Sequence, residues 1–453
     1  MNHIDQNIVE QILTQVVEAK KTGLVSIVGV FVRDLLQAGR SKETEEQFRQ
    51  GLLKLGAGVI ERSLEQPDRV IREAVRSRPH RDLNGGWCDG AIEGKGCKPV
   101  KLQTSLGEVE VNRWTGICRR CGRWIGGVEE LLGEVGHLSA AACSIVSLSG
   151  VLQPYEPSEQ LIGELSGITV DDNKVQRTIL ALKEQAEMAM DSNLVGAEQT
   201  LPPTEVTVSV MMDGGRIRLR RPGGWREPCT ALVLWQEPNG RWVKYGLSDP
   251  LYKEPFLKVL DRWMQRLHED PTREVVIIGD GAEWIWKWAA KYQWAIHILD
   301  YYHLKENVWK AARVLYGEGE PEAAEWVEQL MKRLWRGWVP STIQQLLQQQ
   351  VMPEMNENHR TALQKLVTYL SNHSGFIAYA RHRNAGRQIG SGAIESFCKQ
   401  LFSMRMKGPG MFWGEEGAKA LMTLRTLYLT DRWNLLWDQP IDPQPADSEK
   451  DAA

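Results

Sequence analysis

VVIIGDGAEWIW, residues 275–286, sends four apolar residues into Gly279-Asp280-Gly281 and then into a charged, tryptophan-rich run. A short apolar run that ends at glycine reads as a buried strand. The carboxylate between two glycines has two readings. It is an ordinary turn, because Asp and Gly are turn residues. Or it is a site, with Asp280 held at a strand's carboxyl end and the glycines leaving room for something bulky.

Outward from that stretch the pattern is mixed α/β. EVTVSVMM, RIRLR and TALVLW read as three strands in a meander, and PNG (238–240) as a hairpin turn into RWVKYG. The helix EPFLKVLDRWMQRLH (254–268) leads to strand EVVIIG, helix AEWIWKWAAKY and strand WAIHIL, which ends at Asp300. Helices fill about 303–385, and the glycine-marked break NAGRQIGSG introduces a helix AIESFCKQLFSMRMK.

In a mixed sheet of this order neighbouring strand ends lie close, so residues far apart in sequence can share a site. Asp213 ends the first strand and Asp280 the fourth. Glu395 stands near the start of the late helix, bordering a stripe of Ile394, Phe397, Cys398, Leu401 and Phe402. Asp, Asp and Glu are the hard oxygen donors that Mg²⁺ or Mn²⁺ prefers. Two such ions about 4 Å apart activate one oxygen and stabilise the leaving oxygen of a displacement at phosphorus. Taken singly, each acid has a plain reading as a turn residue or a helix-start acid. Their joint placement favours a site, with Asp249 and Glu283 as competitors for a metal role.

The amino-terminal half reads differently. IVEQILTQVVEAK and EEQFRQGLLKLGAGVIERSL carry apolar residues at helical spacing. Residues 88–121 hold four of the seven cysteines around the alternating piece EVEVNRW. Cys118 and Cys121 form a CxxC pair, and Cys88 and Cys97 can complete a tetrahedral Zn²⁺ site, although eight residues separate them where two to four are usual. A redox pair or buried thiols are the alternatives. Cys143, Cys229 and Cys398 read as isolated small apolar residues. Further on, Asp171 or Asp172 caps the helix KVQRTILALKEQAEMAM. The helix–break–helix suits a helix-turn-helix DNA reader with Lys174 and Arg177 exposed near its start, or a plain packed pair.

With 453 residues, two to four domains are expected. A 42% hydrophobic, 25% charged composition points to a soluble globular protein. GLVSIVGVFV (23–32) is too short to span a bilayer, and MNHIDQN lacks a signal-peptide pattern, so the expectation is a cytoplasmic protein without membrane contact. The net charge of −3 argues on its face against nucleic acid, but local clusters matter more. RIRLRRPGGWR (216–226) holds five arginines and no acid, and Arg216, Arg218 and Arg220 alternate onto one face beside Asp213. Lys399, Arg405 and Lys407 form a second acid-free run. Such stripes attract phosphate backbones.

VMMDGGRIRLR, IIGDGAEWIWKWA, ILDYYHLKENVW and GSGAIESFCKQLFSMRMKGPGMFWGEEGA closely resemble the conserved blocks of ISKra-type insertion-sequence transposases, prokaryotic relatives of the Mutator-like enzymes. The resemblance covers roughly 200–430. It implies a multidomain α/β chain whose RNase H-like mixed sheet carries helices and an all-helical insertion, with a DDE triad of Asp213, Asp280 and Glu395. Asp300 and His303 of ILDYYH match the (C/D)xxH element. At a strand-to-helix junction they could order a water, a phosphate or each other, or His303 could be a packed histidine. The expected organisation is a helical region (1–80), a zinc-ribbon-like module (81–130), a helical DNA-binding region (131–200), a catalytic core (201–303), a helical insertion (304–386), the glutamate helix (387–432) and a disordered tail (433–453). The expected activity is metal-dependent DNA cleavage and strand transfer by a homo-oligomer acting on double-stranded terminal repeats and target DNA. The alternatives are a domesticated, catalytically inactive DNA-binding protein and an RNase H-like nuclease without strand transfer.

Overall fold

A computed structural model describes residues 42–65, 76, 79–82, 86–126, 136–192, 201–220 and 223–437. The chain divides into two units, Met1–Gln185 with Asn434–Ala453, and Ala186–Trp433. The helix expected near 8–20 lies outside the described residues, as does the tail beyond 437.

In the first unit, α1 (Lys42–Glu65) is followed by a short ribbon of β1 (His80–Arg81) and β2 (Trp87–Cys88). A long antiparallel hairpin comes next, β3 (Ile92–Thr104) with β4 (Gly107–Cys118), and β5 (Trp124–Gly126) joins β4. EVEVNRW alternates as a strand with one covered face must. Val109, Val111 and Trp114 are buried, while Glu108 and Glu110 are exposed. Val109 and Val111 form one small core with Leu102 and Ala57 of α1. Helices α2 (Ala140–Leu152), α3 (Tyr155–Ser166) and α4 (Asp172–Ala181) follow, and the helix expected over KVQRTILALKEQAEMAM breaks at Leu182 into α4 and a second piece, Lys183–Ser192. Asp171 caps α4 by accepting the Lys174 N–H at 2.5 Å. Gly150 lets α2 and α4 meet closely, since a Cβ there would sit 2.5 Å from Val175 Cγ1.

The second unit is built on one five-stranded sheet. Its strands are β6 (Val208–Gly214), β9 (Cys229–Gln236), β10 (Trp242–Asp249), β11 (Val275–Gly279) and β12 (Ile296–Leu299), in the order β10-β9-β6-β11-β12. β10, β9 and β6 are antiparallel neighbours; β11 and β12 run parallel to β6. Val208–Met212 and Val275–Gly279 are buried without alternation, as central strands covered on both sides are. The arginine strand is not part of this meander, contrary to expectation. β7 (Ile217–Leu219) pairs with β8 (Gly224–Arg226) in a separate ribbon, with one parallel bridge from Leu219 to Trp413, and the third meander strand is β10. Both sides of β6 are taken, by β9 over Ser209–Gly214 and by β11 over Val208–Met211, so the arginine strand has no place beside it.

Helix α5 (Lys253–Leu267) lies between β10 and β11, and α6 (Glu283–Ala289) between β11 and β12. The chain then makes a helical excursion of α7 (Tyr301–Tyr316), α8 (Pro321–Trp335), α9 (Val339–Gln350), α10 (Glu357–Asn372) and α11 (Tyr379–Asn384). It returns in α12 (Gly392–Cys398), which packs on β6 and β9, and α13 (Glu415–Leu429), which packs on β10. The single late helix expected from AIESFCKQLFSMRMK is interrupted. After Cys398 the backbone widens into a π turn over Lys399–Ser403, a change of register that rotates the residues beyond it. Among the described residues no helix is long and apolar enough to cross a membrane.

Candidate active site

Three neighbouring parallel strands each deliver an aspartate at the same level. Met211 pairs with Ile278, so Asp213 and Asp280 follow two residues later on both strands. Gly279 pairs with Leu299, so Asp280 and Asp300 are the next residues on theirs. The row Asp213–Asp280–Asp300 therefore lies along the carboxyl edge of β6, β11 and β12, on strands about 4.8 Å apart. Burial raises the Asp213 pKa, the nearby Asp280 carboxylate raises it further, and the Gly214 N–H, donating to Asp213 Oδ1 at 2.7 Å, opposes both. Repelling carboxylates at a sheet end suit a divalent cation.

Asp300 is fully buried and is the N-cap of α7, accepting the His303 N–H at 2.6 Å. His303 Nδ1 lies 3.1 Å from Asp300 Oδ1 and 3.8 Å from Glu395 Oε1. The other Asp300 oxygen accepts the Ser391 N–H, and the Ser391 hydroxyl donates to Glu395 Oε1 at 2.9 Å. Glu395, in the first turn of α12, is thus joined to the strand row through Ser391 and His303. The hydrogen bond to Asp300 raises the His303 pKa to about 9 against the cost of burial, with Asp280 and Glu395 adding charge. Burial pushes the Asp300 carboxyl up, but hydrogen bonds from His303 and Ser391 overcome that and hold it low. The tightest group of potential ligands here is Asp300, His303 and Glu395, all within 4.8 Å. Asp213, Asp280 and Glu395 do not by themselves form a group that tight.

The Gly-Asp-Gly stretch is both a turn and a crowded place. Asp280 Oδ1 accepts the Ala282 N–H at 2.9 Å, and its carbonyl accepts Trp286 Nε1 at 2.7 Å. A Cβ at Gly279 would approach Ile285 Cγ2 to 2.9 Å. A Cβ at Gly281 would overlap Tyr369 Cε2 and lie 3.1 Å from the Tyr369 hydroxyl. The bulky neighbour is therefore a tyrosine from α10. Neither competitor acid joins the group. Asp249 caps its own turn, accepting the Leu251 and Tyr252 N–H groups at 2.8 Å, and exposed Glu283 pairs with Lys287 at 2.7 Å.

The cationic residues divide. Arg216, Arg218 and Arg220 are exposed while Ile217 and Leu219 are buried, as the alternation requires. Arg216 lies 3.6 Å from Glu227, Arg218 stacks on Phe412 at 4.5 Å, and Arg220 donates to the Phe412 carbonyl at 3.2 Å. Lys399 and Lys407 are exposed. Arg405 is not available to a phosphate: the π turn directs it inward, where it is 2% exposed with its guanidinium 5.3 Å from the Trp413 ring. On α4, exposed Arg177 bonds back to the Asn173 carbonyl at 3.3 Å and Lys174 reaches the Gly136 carbonyl.

The cysteine cluster also departs from expectation. His80, Cys88, Cys118 and Cys121 place one ligand atom each within 4.8 Å of the others. Cys88 and Cys118 sulfurs are 3.8 Å apart, and His80 Nε2 lies 3.3 Å from Cys121 Sγ. Amide N–H groups of Gly90 and Arg120 donate to the Cys88 and Cys118 sulfurs at 3.4 Å. A Cβ at Gly90 would sit 2.5 Å from Cys118 Sγ. Burial lowers the His80 pKa, which keeps the imidazole neutral as a ligand must be. Cys97 is exposed and pairs with Trp114, four residues along β4 from Cys118. That displacement, about 13 Å of strand, removes it from the cluster. His80 fills the place expected for Cys97. The donor set, three sulfurs and an imidazole, fits tetrahedral Zn²⁺.

A model of an uncharacterised protein family, UPF0236, matches residues 253–434. The chain is 24% identical over 451 residues to UPF0236 protein TTE0402 of Caldanaerobacter subterraneus subsp. tengcongensis, covering 93% of this chain and 80% of that protein. It is 23% identical over 412 residues to a UPF0236 protein of the same strain whose name joins eleven locus designations, from TTE0033 to TTE2212, covering 86% of this chain and 79% of that protein.

Proposed function

We propose that the chain is a DNA transposase of a prokaryotic insertion sequence, cleaving element ends and joining them to target DNA with a DDE triad of Asp213, Asp280 and Glu395. The observation that carries the reading is the level row of aspartates with Glu395 tied to it through Ser391 and His303. The strand order, three antiparallel strands with two parallel strands on the far side of the first, is the arrangement an RNase H-like core uses, and the helical excursion corresponds to its insertion. A name that joins eleven loci in one strain is what a gene copied about a genome would give.

In this reading Asp213, Asp280 and Glu395 would hold Mg²⁺ or Mn²⁺, which would polarise the attacking oxygen and stabilise the leaving one. Asp300 fixes the orientation of the His303 ring. His303, as an imidazolium, compensates the carboxylates and donates toward Glu395 or a phosphate. Arg216, Arg218 and Lys407 bind phosphate, and the exposed Trp225 of the arginine ribbon stacks on a base. His80, Cys88, Cys118 and Cys121 hold a structural Zn²⁺ in the terminal-repeat reader, with α4 alongside in the same unit. Two ends held together require at least a dimer.

The test uses a duplex carrying the inverted repeats that flank the gene. With Mn²⁺ the protein nicks it at the repeat ends and yields joined products. Cuts without joining favour a nuclease; binding without cuts favours an inactive DNA-binding protein.

A further inference from the structure

Gly281 is not among the residues with positive φ, so its lack of a side chain meets a steric demand and not a conformational one. The demand is the Tyr369 ring. Tyr369 belongs to α10, and its backbone carbonyl lies 2.7 Å from His373 Nδ1, which steadies the end of that helix. Its hydroxyl is buried and has no hydrogen-bond partner. The Asn307 side chain approaches it, while its amide donates to the His303 carbonyl at 2.9 Å. A buried hydroxyl left unpaired is a cost that native folds accept where a ligand completes the bond.

Resting on the reading of Asp280 as a cation ligand, we propose that Tyr369 is a positioning residue of that centre. Its ring holds the Gly279–Asp280–Gly281 turn in place, and its hydroxyl donates to an oxygen ligand of the cation beside Asp280. A phenol keeps its proton at neutral pH, so the group acts as a donor. Outer partners of this kind orient the groups that touch the metal.

The full chain is titrated with Mn²⁺ by calorimetry, without DNA, beside Tyr369→Phe, Gly281→Ala, Tyr369→Ala, the Gly281→Ala/Tyr369→Ala double variant and Asp280→Asn. Tyr369→Phe keeps the ring and loses the donor; it should weaken Mn²⁺ about tenfold, the worth of one hydrogen bond to a charged group, with the melting temperature unchanged. Gly281→Ala should weaken Mn²⁺ as well, because its Cβ must displace the ring. The double variant should bind no worse than Tyr369→Ala alone, since the clash has gone, and that non-additivity reports direct contact. If Asp280→Asn loses Mn²⁺ and Tyr369→Phe binds it like the wild type, the role of Tyr369 is overturned while the cation reading stands. If Asp280→Asn binds Mn²⁺ like the wild type, the cation reading is overturned and the role of Tyr369 with it.

Discussion

Asp280 and Asp300 stand at one level on neighbouring parallel strands, each the residue after the pair Gly279–Leu299, and the Asp300 N–H donates to the Gly279 carbonyl at 2.8 Å. The two carboxylates nevertheless have different duties. Asp300 is spent on its own structure, with hydrogen bonds to His303 and Ser391. Asp280 Oδ1 caps the Ala282 N–H and leaves its second oxygen for other use.

Asp280→Asn keeps the turn, because the amide oxygen can still accept from Ala282, and removes the charge. If the chain is a transposase, nicking in the presence of Mn²⁺ should fall by more than about 100-fold, since even outer partners of metal ligands cost about 10–100-fold. DNA retention in a gel-shift assay should persist. Nicking at the wild-type rate would remove Asp280 from the triad.

Ser391→Ala deletes the hydroxyl that donates to Glu395 at 2.9 Å but keeps the backbone N–H on Asp300. The fold should survive with its melting temperature within a few degrees. Turnover should drop about 10–100-fold, as for other residues that orient a ligand. Single-turnover cleavage kinetics measure it.

Asp300→Ala strips α7 of its cap and leaves His303 without its partner. Cap loss alone costs about 0.5–2 kcal/mol, and the buried position adds to that. Urea denaturation should show the loss, while Glu283→Gln, on an exposed i,i+4 pair, should change little.

Glu274 gives the second unit an acid-sensitive bond. Its carboxylate receives Arg387 Nε at 3.0 Å and the Thr207 hydroxyl at 2.8 Å, and the Arg387 bond holds its pKa below the usual carboxylate value. A depressed folded-state pKa contributes stability above the unfolded carboxyl value, near 4.3, and loses it as pH falls through the folded value. Melting temperature should therefore decline below about pH 5 in the wild type and decline less in Glu274→Gln. Parallel curves for the two proteins would count against this bond.

Zinc stoichiometry separates Cys97 from the other cysteines. Cys97→Ser should retain one Zn²⁺ per chain by metal analysis, whereas Cys118→Ser and His80→Ala should lose it. Chelation should disorder the β1–β2 ribbon that carries His80 and Cys88 and the end of β4 at Cys118, because a structural site supplies folding energy.

The strands that lead to Asp213, Asp280 and Asp300 were legible because each is a largely apolar run that stops at its acid. Parallel register then levels the three without any further signal. The arginine strand misled: its alternation is real, but alternation does not say which partner a short strand takes, and Ile217 and Leu219 bury themselves in a separate ribbon. Cys97 misled for a related reason, since spacing counts residues and not the distance a hairpin puts between them. His80 carried a usable hint, a ligand-type residue eight positions before Cys88 in a Pro- and Gly-rich break. Arg405 was lost to a π turn that no periodicity announces. Ser391 and Tyr369 had no signal of their own; they matter through what they touch, and only packing reveals that.

The helical excursion between β12 and α12 leaves and re-enters through one doorway. Tyr301 N–H donates to the Ile389 carbonyl at 3.0 Å, Ser391 N–H reaches back to Asp300, and Arg387 is anchored on Glu274 beside the start of β11. With its threshold bolted on both sides, the room behind can be rebuilt, lengthened or exchanged without shifting Glu395. Natural variation in size should collect there, within the limit that whatever replaces α10 must still bring an aromatic ring down onto Gly281.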